Sequence, residues 1–166
     1  MNKLTFLTVF LLVFTFKFSG SQTYDFDLQD IEGNSVKLSE QLQKGPVLIQ
    51  FWALWCLPCK EEMRHLGEIY GRYKDSGFVY VAINEDSPKS SFKVKSYIES
   101  KEYKFPVLLD GDAKVFEQFG GQNLPFSVFL NKKGGVIKIY TNYVAGDESE
   151  LEKDIKQAVK DTKSEK

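Results

Sequence analysis

Residues 51–63 read FWALWCLPCKEEM and hold both cysteines of the 166-residue chain, Cys56 and Cys59, with Leu57 and Pro58 between them. Two thiols this close can bind a metal, staple the chain, or cycle between dithiol and disulfide. Upstream, GPVLIQFWALW is a continuous apolar, β-rich run behind Gly45 and Pro46, the pattern of a central strand buried on both faces. Downstream, Met63, Leu66, Ile69, Tyr70 and Tyr73 recur at helical spacing, with Gly77 beyond the helix end. The pair therefore sits at a strand-to-helix junction. A cysteine at a helix start faces unpaired backbone N–H groups and the positive end of the dipole. Both favour a thiolate, so the Cys56 thiol is expected below the range of a free one. Cys59, three residues on, shares the face of Cys56 and can reach disulfide geometry with it. Pro58 suits a first helical turn, where its missing N–H leaves no bond unmade. Trp55 is placed to shield the pair and to offer an apolar contact surface.

The competing readings of the pair differ in what else they need. A bridge across so short a loop removes little entropy from the unfolded chain, which makes it a poor staple. Structural zinc takes about four N or S ligands, and the chain adds only one histidine, His65, six residues past Cys59. Helix rotation does not bring that position beside the pair, and His65 reads as a surface or boundary residue. A copper(I) metallochaperone module is the binding-class rival, since two thiolates suit a soft ion.

Outward from the junction, Tyr24, Phe26 and Leu28 alternate with polar residues, and EGN marks a turn before a second short strand, SVKL. FVYVAIN reads as a strand. SPKSSFKVKSYIESKE reads as a helix with Ser87 as N-cap and Pro88 in its first turn. FPVLLD is extended, and DAKVFEQFG is a short helix ending at Gly120. PFSVFLN and VIKIYTNYV, joined by KKGG, form a hairpin. In the last helix Leu151, Ile155, Ala158 and Val159 share one face. Strands alternating with helices, then a hairpin and a final helix, predict an α/β fold: a mixed β-sheet flanked by helices, with an N-terminal β-hairpin extension.

Composition bounds the rest. The formal charge is −1, and acids interleave the C-terminal lysines, so no nucleic-acid partner is expected. MNK, then the apolar run LTFLTVFLLVFTF, then small and polar residues, follow the layout of a signal peptide. The run is shorter than the about 20 residues that span a bilayer. Residues 1–21 are read as a signal cleaved after Gly20 or Ser21 rather than an anchor, 22–162 as one domain and 163–166 as a tail. Export implies an oxidising compartment where disulfides persist, and two cysteines have one natural pairing there.

FWALWCLPCK resembles the active-site stretch of thioredoxin-superfamily proteins, F-W-A-x-W-C-x-P-C followed by Lys or Arg. Its surroundings resemble the exported TlpA/ResA/DsbE-like branch, segment by segment over about residues 24–160: the N-terminal hairpin, CKEEM, VYVAIN, FPVLLD and NLPFSVFLNKKGGVI. The resemblance implies a thioredoxin-like fold and a thiol-disulfide oxidoreductase, with Cys56 attacking a partner disulfide and Cys59 resolving the mixed disulfide. It implies a cis peptide at Leu124-Pro125 in a loop facing the pair, and substrate contacts at Trp55, Leu57, Pro58, Leu124 and Pro125. It implies protein disulfides as substrates, no cofactor or metal, and a monomer that works as an extracytoplasmic, periplasmic reductant, for example in cytochrome c maturation. Electrons would come from a separate membrane donor. Oxidant or isomerase action, and a peroxiredoxin-type peroxidase, are the alternatives. Three departures stand out. Gln50 replaces the buried aspartate of thioredoxin, so deprotonation of Cys59 must use water or another group. Ser87 falls where relatives carry a glutamate, which makes Glu85, two residues earlier, a proton-transfer candidate. Arg64 stands where relatives have a helix proline, so a straighter helix is expected.

Overall fold

The computed structural model describes residues 24–164, so the expected signal segment, 1–21, lies outside the described residues. Among the described residues seven strands form one sheet: β1 (Asp27–Asp30), β2 (Ser35–Lys37), β3 (Val47–Trp52), β4 (Val79–Asn84), β5 (Val107–Leu109), β6 (Phe126–Leu130) and β7 (Val136–Thr141). Their order is β2-β1-β5-β4-β3-β6-β7. β3, β4 and β5 run parallel, whereas β6 and β7 pair antiparallel on one side and the β1–β2 hairpin joins the other side through β1 and β5. This is the mixed sheet with an N-terminal hairpin that the residue pattern predicts.

The helices are α1 (Leu38–Lys44), α2 (Leu57–Tyr73), α3 (Ser91–Ser100), α4 (Lys114–Gln118) and α5 (Glu148–Ser164). Strand β3 shows how they divide. Its residues are all buried, and alternate side chains enter two separate cores. Leu48 and Trp52 pack with Met63, Leu66 and Ile69 of α2, Val94 and Ile98 of α3, and Leu151 and Ile155 of α5. Val47, Ile49 and Phe51 pack with Leu38 of α1 and with Val115 and Phe119 at α4. The four apolar positions expected on the face of α5 are its buried residues.

Two details depart from the sequence reading. The pattern ends a strand at Leu38 and assigns no element to SEQLQK, whereas Leu38–Lys44 form α1, burying Leu38 and Gln41; its single short apolar face is a weak periodic signal. Ser87 makes no side-chain cap bond, and Pro88–Ser90 wind as one 3₁₀ turn before α3 begins. Helix α5 runs from Glu148 to Ser164. The glycine ahead of β3 has a steric reason: a Cβ on Gly45 would lie 2.0 Å from the Gly77 carbonyl oxygen.

Candidate active site

Cys56 and Cys59 form a disulfide, with Cα atoms 5.3 Å apart. Cys56 is the N-cap of α2, and its sulfur accepts the Cys59 N–H at 3.3 Å. The Cys56 carbonyl accepts the N–H of Lys60 at 3.3 Å. The helix start expected from sequence is therefore present, and a thiolate at Cys56 would find a backbone donor already aimed at it. Cys56 keeps 3% of its surface exposed and Cys59 none. Both cysteines belong to the α2–α3–α5 core, and of the two Cys56 alone keeps surface that an incoming group could meet.

The loop before the pair is held by polar groups that the sequence reading did not single out. Asp86 accepts the Leu54 N–H at 2.7 Å and the Asn84 side-chain amide at 2.9 Å. Asn84 is fully buried at the end of β4. Around the pair, Trp55 and Leu57 are 71% and 73% exposed, an apolar surface flanking Cys56. The Leu124-Pro125 peptide is cis, as the resemblance implies. Leu124 packs against the cluster that contains both cysteines, and the Pro125 carbonyl accepts the Asn142 N–H at 3.0 Å. Arg64 bonds Glu68 at 3.0 Å, and α2 runs unbroken over 17 residues.

Gln50 and Glu62 explain what stands in for the missing aspartate. Gln50 is fully buried and Glu62 is 5% exposed. The Gln50 amide N–H group donates to the Cys59 carbonyl at 3.2 Å and to Glu62 at 2.5 Å, and its oxygen accepts the Tyr80 hydroxyl at 2.5 Å. Ser127 donates to the other Glu62 oxygen at 3.4 Å. Glu62 is three residues past Cys59, on the same helix face. Burial raises its carboxyl to about 7, Asp147 adds to the rise, and the bonds from Gln50 and Ser127 oppose it. A carboxylate near 7 is matched to proton transfer at neutral pH. An open cleft of about 290 Å³ between α5 and β7 reaches Glu62, so its proton can exchange with solvent. Glu62 is the candidate proton acceptor that the sequence alone does not single out. Its signal was available: an acid at a position three past Cys59 belongs to the inward face of α2.

Glu85 lies elsewhere. Continuing the alternation of β4, it follows Ile83 onto the sheet face opposite Gln50. Both its carboxyl oxygens are buried without a hydrogen-bond partner among the described residues. Burial, with the charges of Asp110, Asp112 and Asp86, raises it to about 9. Glu85 is thus a neutral acid at pH 7. Because its folded value exceeds the unfolded one, its contribution to stability is full below about pH 4.5 and is lost as pH rises toward about 9. Glu85→Gln is expected to raise Tm by about 2–5 °C at pH 8, allowing for solvent screening of a partly exposed group, and by less at pH 5. Melting curves at the two pH values check this; an equal shift at both would refute the charge argument.

The comparisons with known proteins agree with this geometry. The model of the AhpC/TSA family matches residues 19–149. The thiol-disulfide oxidoreductase ResA of Halalkalibacterium halodurans is 33% identical over 123 residues, 74% of this chain and 68% of that one. ResA of Bacillus subtilis is 34% identical over 137 residues, 81% of this chain and 75% of that one. Among solved structures, a Chlorobium tepidum protein described as a thiol:disulfide interchange protein DsbE superposes with a TM-score of 0.76 at 27% identity, covering 82% of this chain and 95% of that one. StoA of Bacillus subtilis shares the fold at a TM-score of 0.64 and 22% identity, over 78% of this chain and 95% of that one.

Proposed function

The chain belongs to the AhpC/TSA family and is a thiol-disulfide oxidoreductase of the ResA and DsbE type, and on that premise we propose that it reduces disulfides of partner proteins outside the cytoplasm. The Cys56 thiolate attacks one sulfur of the partner disulfide, and the other leaves as a thiolate. Cys59 loses its proton to Glu62 and attacks Cys56, releasing the partner's second thiol. Two electrons pass to the partner, and the enzyme is left as the Cys56–Cys59 disulfide. Trp55, Leu57, Pro58, Leu124 and Pro125 form the surface on which the partner chain lies. A separate membrane protein returns the electrons, and cytochrome c maturation is one setting for such a reductant. The signal-like layout of residues 1–21 supports export.

The observation that carries the direction is the buried Glu62 beside the pair. A dithiol becomes strongly oxidising when its thiolate form is stabilised. A nearby carboxylate works against that stabilisation, so the reduced pair readily gives up its electrons. Equilibration of the Cys56–Cys59 couple in glutathione buffers is expected to return a potential near that of thioredoxin, about −270 mV. A value near about −120 mV, that of a dedicated oxidant, would overturn the reductant reading in favour of oxidase or isomerase action.

A further inference from the structure

Two clefts border helix α2 past the cysteine pair, and they differ in charge. Lys60 and Glu62 are two positions apart on α2 and point to different sides of it. The Glu62 side opens on the cleft lined also by Asp147, Glu148 and Glu150. Its lysine, Lys138, is already bonded to Glu150 and Asp154. The Lys60 side opens on a wider cleft between α2 and α3, of about 560 Å³, lined by Lys60, Arg64, Lys101, Tyr97 and Tyr103 with one acid, Glu61.

The walls of this second cleft are fixed. The Tyr97 ring packs on Trp52 at 5.7 Å, and Tyr103 stacks on Phe105 at 4.9 Å. The Lys60 ammonium lies over the Tyr97 ring, 5.5 Å from its centre. Among the described residues neither Lys60 nor Lys101 takes part in an ion pair, whereas Arg64 pairs with Glu68 across solvent-exposed side chains and also bonds the His65 ring at 2.6 Å. A cationic patch in a chain of net charge −1 is a local arrangement, not a consequence of overall basicity. It begins one residue after Cys59, at Lys60, whose backbone N–H bonds the Cys56 carbonyl at 3.3 Å.

We propose that this cleft receives an acidic stretch of the polypeptide whose disulfide Cys56 attacks, so that substrates with Asp or Glu close to the reacting cysteine are preferred. The inference rests on the disulfide-exchange reading above. Long-range attraction between the patch and such a stretch would raise the rate of productive encounter and disfavour basic competitors.

The test compares two disulfide-linked reporter peptides that differ only in having Glu or Lys beside the cysteine, with the reduced full-length protein. The expected kcat/KM ratio is about tenfold in favour of the acidic peptide at low ionic strength. In 1 M salt, where charges are screened within about 3 Å, it should approach one. In a Lys60→Glu, Lys101→Glu variant the preference should invert. The ratio cancels any change in thiol reactivity, which acts on both peptides alike. A ratio near one in the unaltered protein, or an acidic preference that survives charge reversal, would overturn the proposal. So would a retained ratio accompanied by slower re-reduction with a membrane preparation, which would assign the cleft to the electron donor. Failure of the unaltered protein to reduce neutral 2-hydroxyethyl disulfide would instead overturn the disulfide-exchange reading itself.

Discussion

Cys59→Ser is expected to leave the protein covalently attached to its substrates. Cys56, at the exposed edge of the pair, still attacks, but the buried thiol that would release the partner is gone. A non-reducing gel should show mixed-disulfide bands that collapse with dithiothreitol, and turnover should fall by about 10³-fold or more. Cys56→Ser should lose turnover to the same extent without accumulating adducts, because Cys59 has no exposed surface. The asymmetry of the two variants is the informative outcome. Equal adduct formation by both would mean that the roles of the cysteines are not set by their burial.

Glu62→Gln is the second large effect. In the proposed mechanism the carboxylate form takes the proton of Cys59, and with its carboxyl raised to about 7 that form fills in as pH rises through neutrality. The resolving rate of the unaltered protein should therefore climb between about pH 6 and 8 and then level. The amide cannot accept that proton, so the inflection should vanish and the rate at pH 8 should fall about 10²-fold, as for other lost acid–base groups. Stability moves the opposite way. The raised folded value means that Glu62 contributes most below about pH 4.5 and that this contribution is lost as pH rises through about 7. The variant should lack that decline. Stopped-flow resolution of a preformed mixed disulfide gives the rate, and melts across pH give the stability. A variant that shifts Tm yet keeps the inflection would reduce Glu62 to a structural role.

Much of this was legible in the residues. The apolar run Val47–Trp52 could only be a strand buried on two faces, and the stretch after Cys56 carried a helical stripe in Met63, Leu66 and Ile69. That placed the cysteines at a helix start, where the structure has them. The resemblance added the cis peptide before Pro125, which local propensity does not specify. What escaped was side-chain direction beyond one element. Gln50 read as the loss of an acid, since nothing in the strand alone shows an amide reaching across to α2. Distance along the chain points to Glu85, whereas strand alternation turns it toward Asp110 and Asp112. The α2–α3 cleft was equally hidden, because Lys60 and Lys101 are brought together only by packing.

Strand β3 makes chemistry and durability separable. Gln50 and its neighbours on one side of the strand meet Glu62 and Cys59. Val47, Ile49 and Phe51 on the other side meet the α1 and α4 layer and the same-face side chains of β4, β5 and β6. The two sets reach different clusters, with Leu124 packed against both, so substitutions whose effects do not pass through Leu124 should sum. An engineer can thus harden this molecule against heat through one row of β3 and adjust its reactivity through the other, without trading one property for the other.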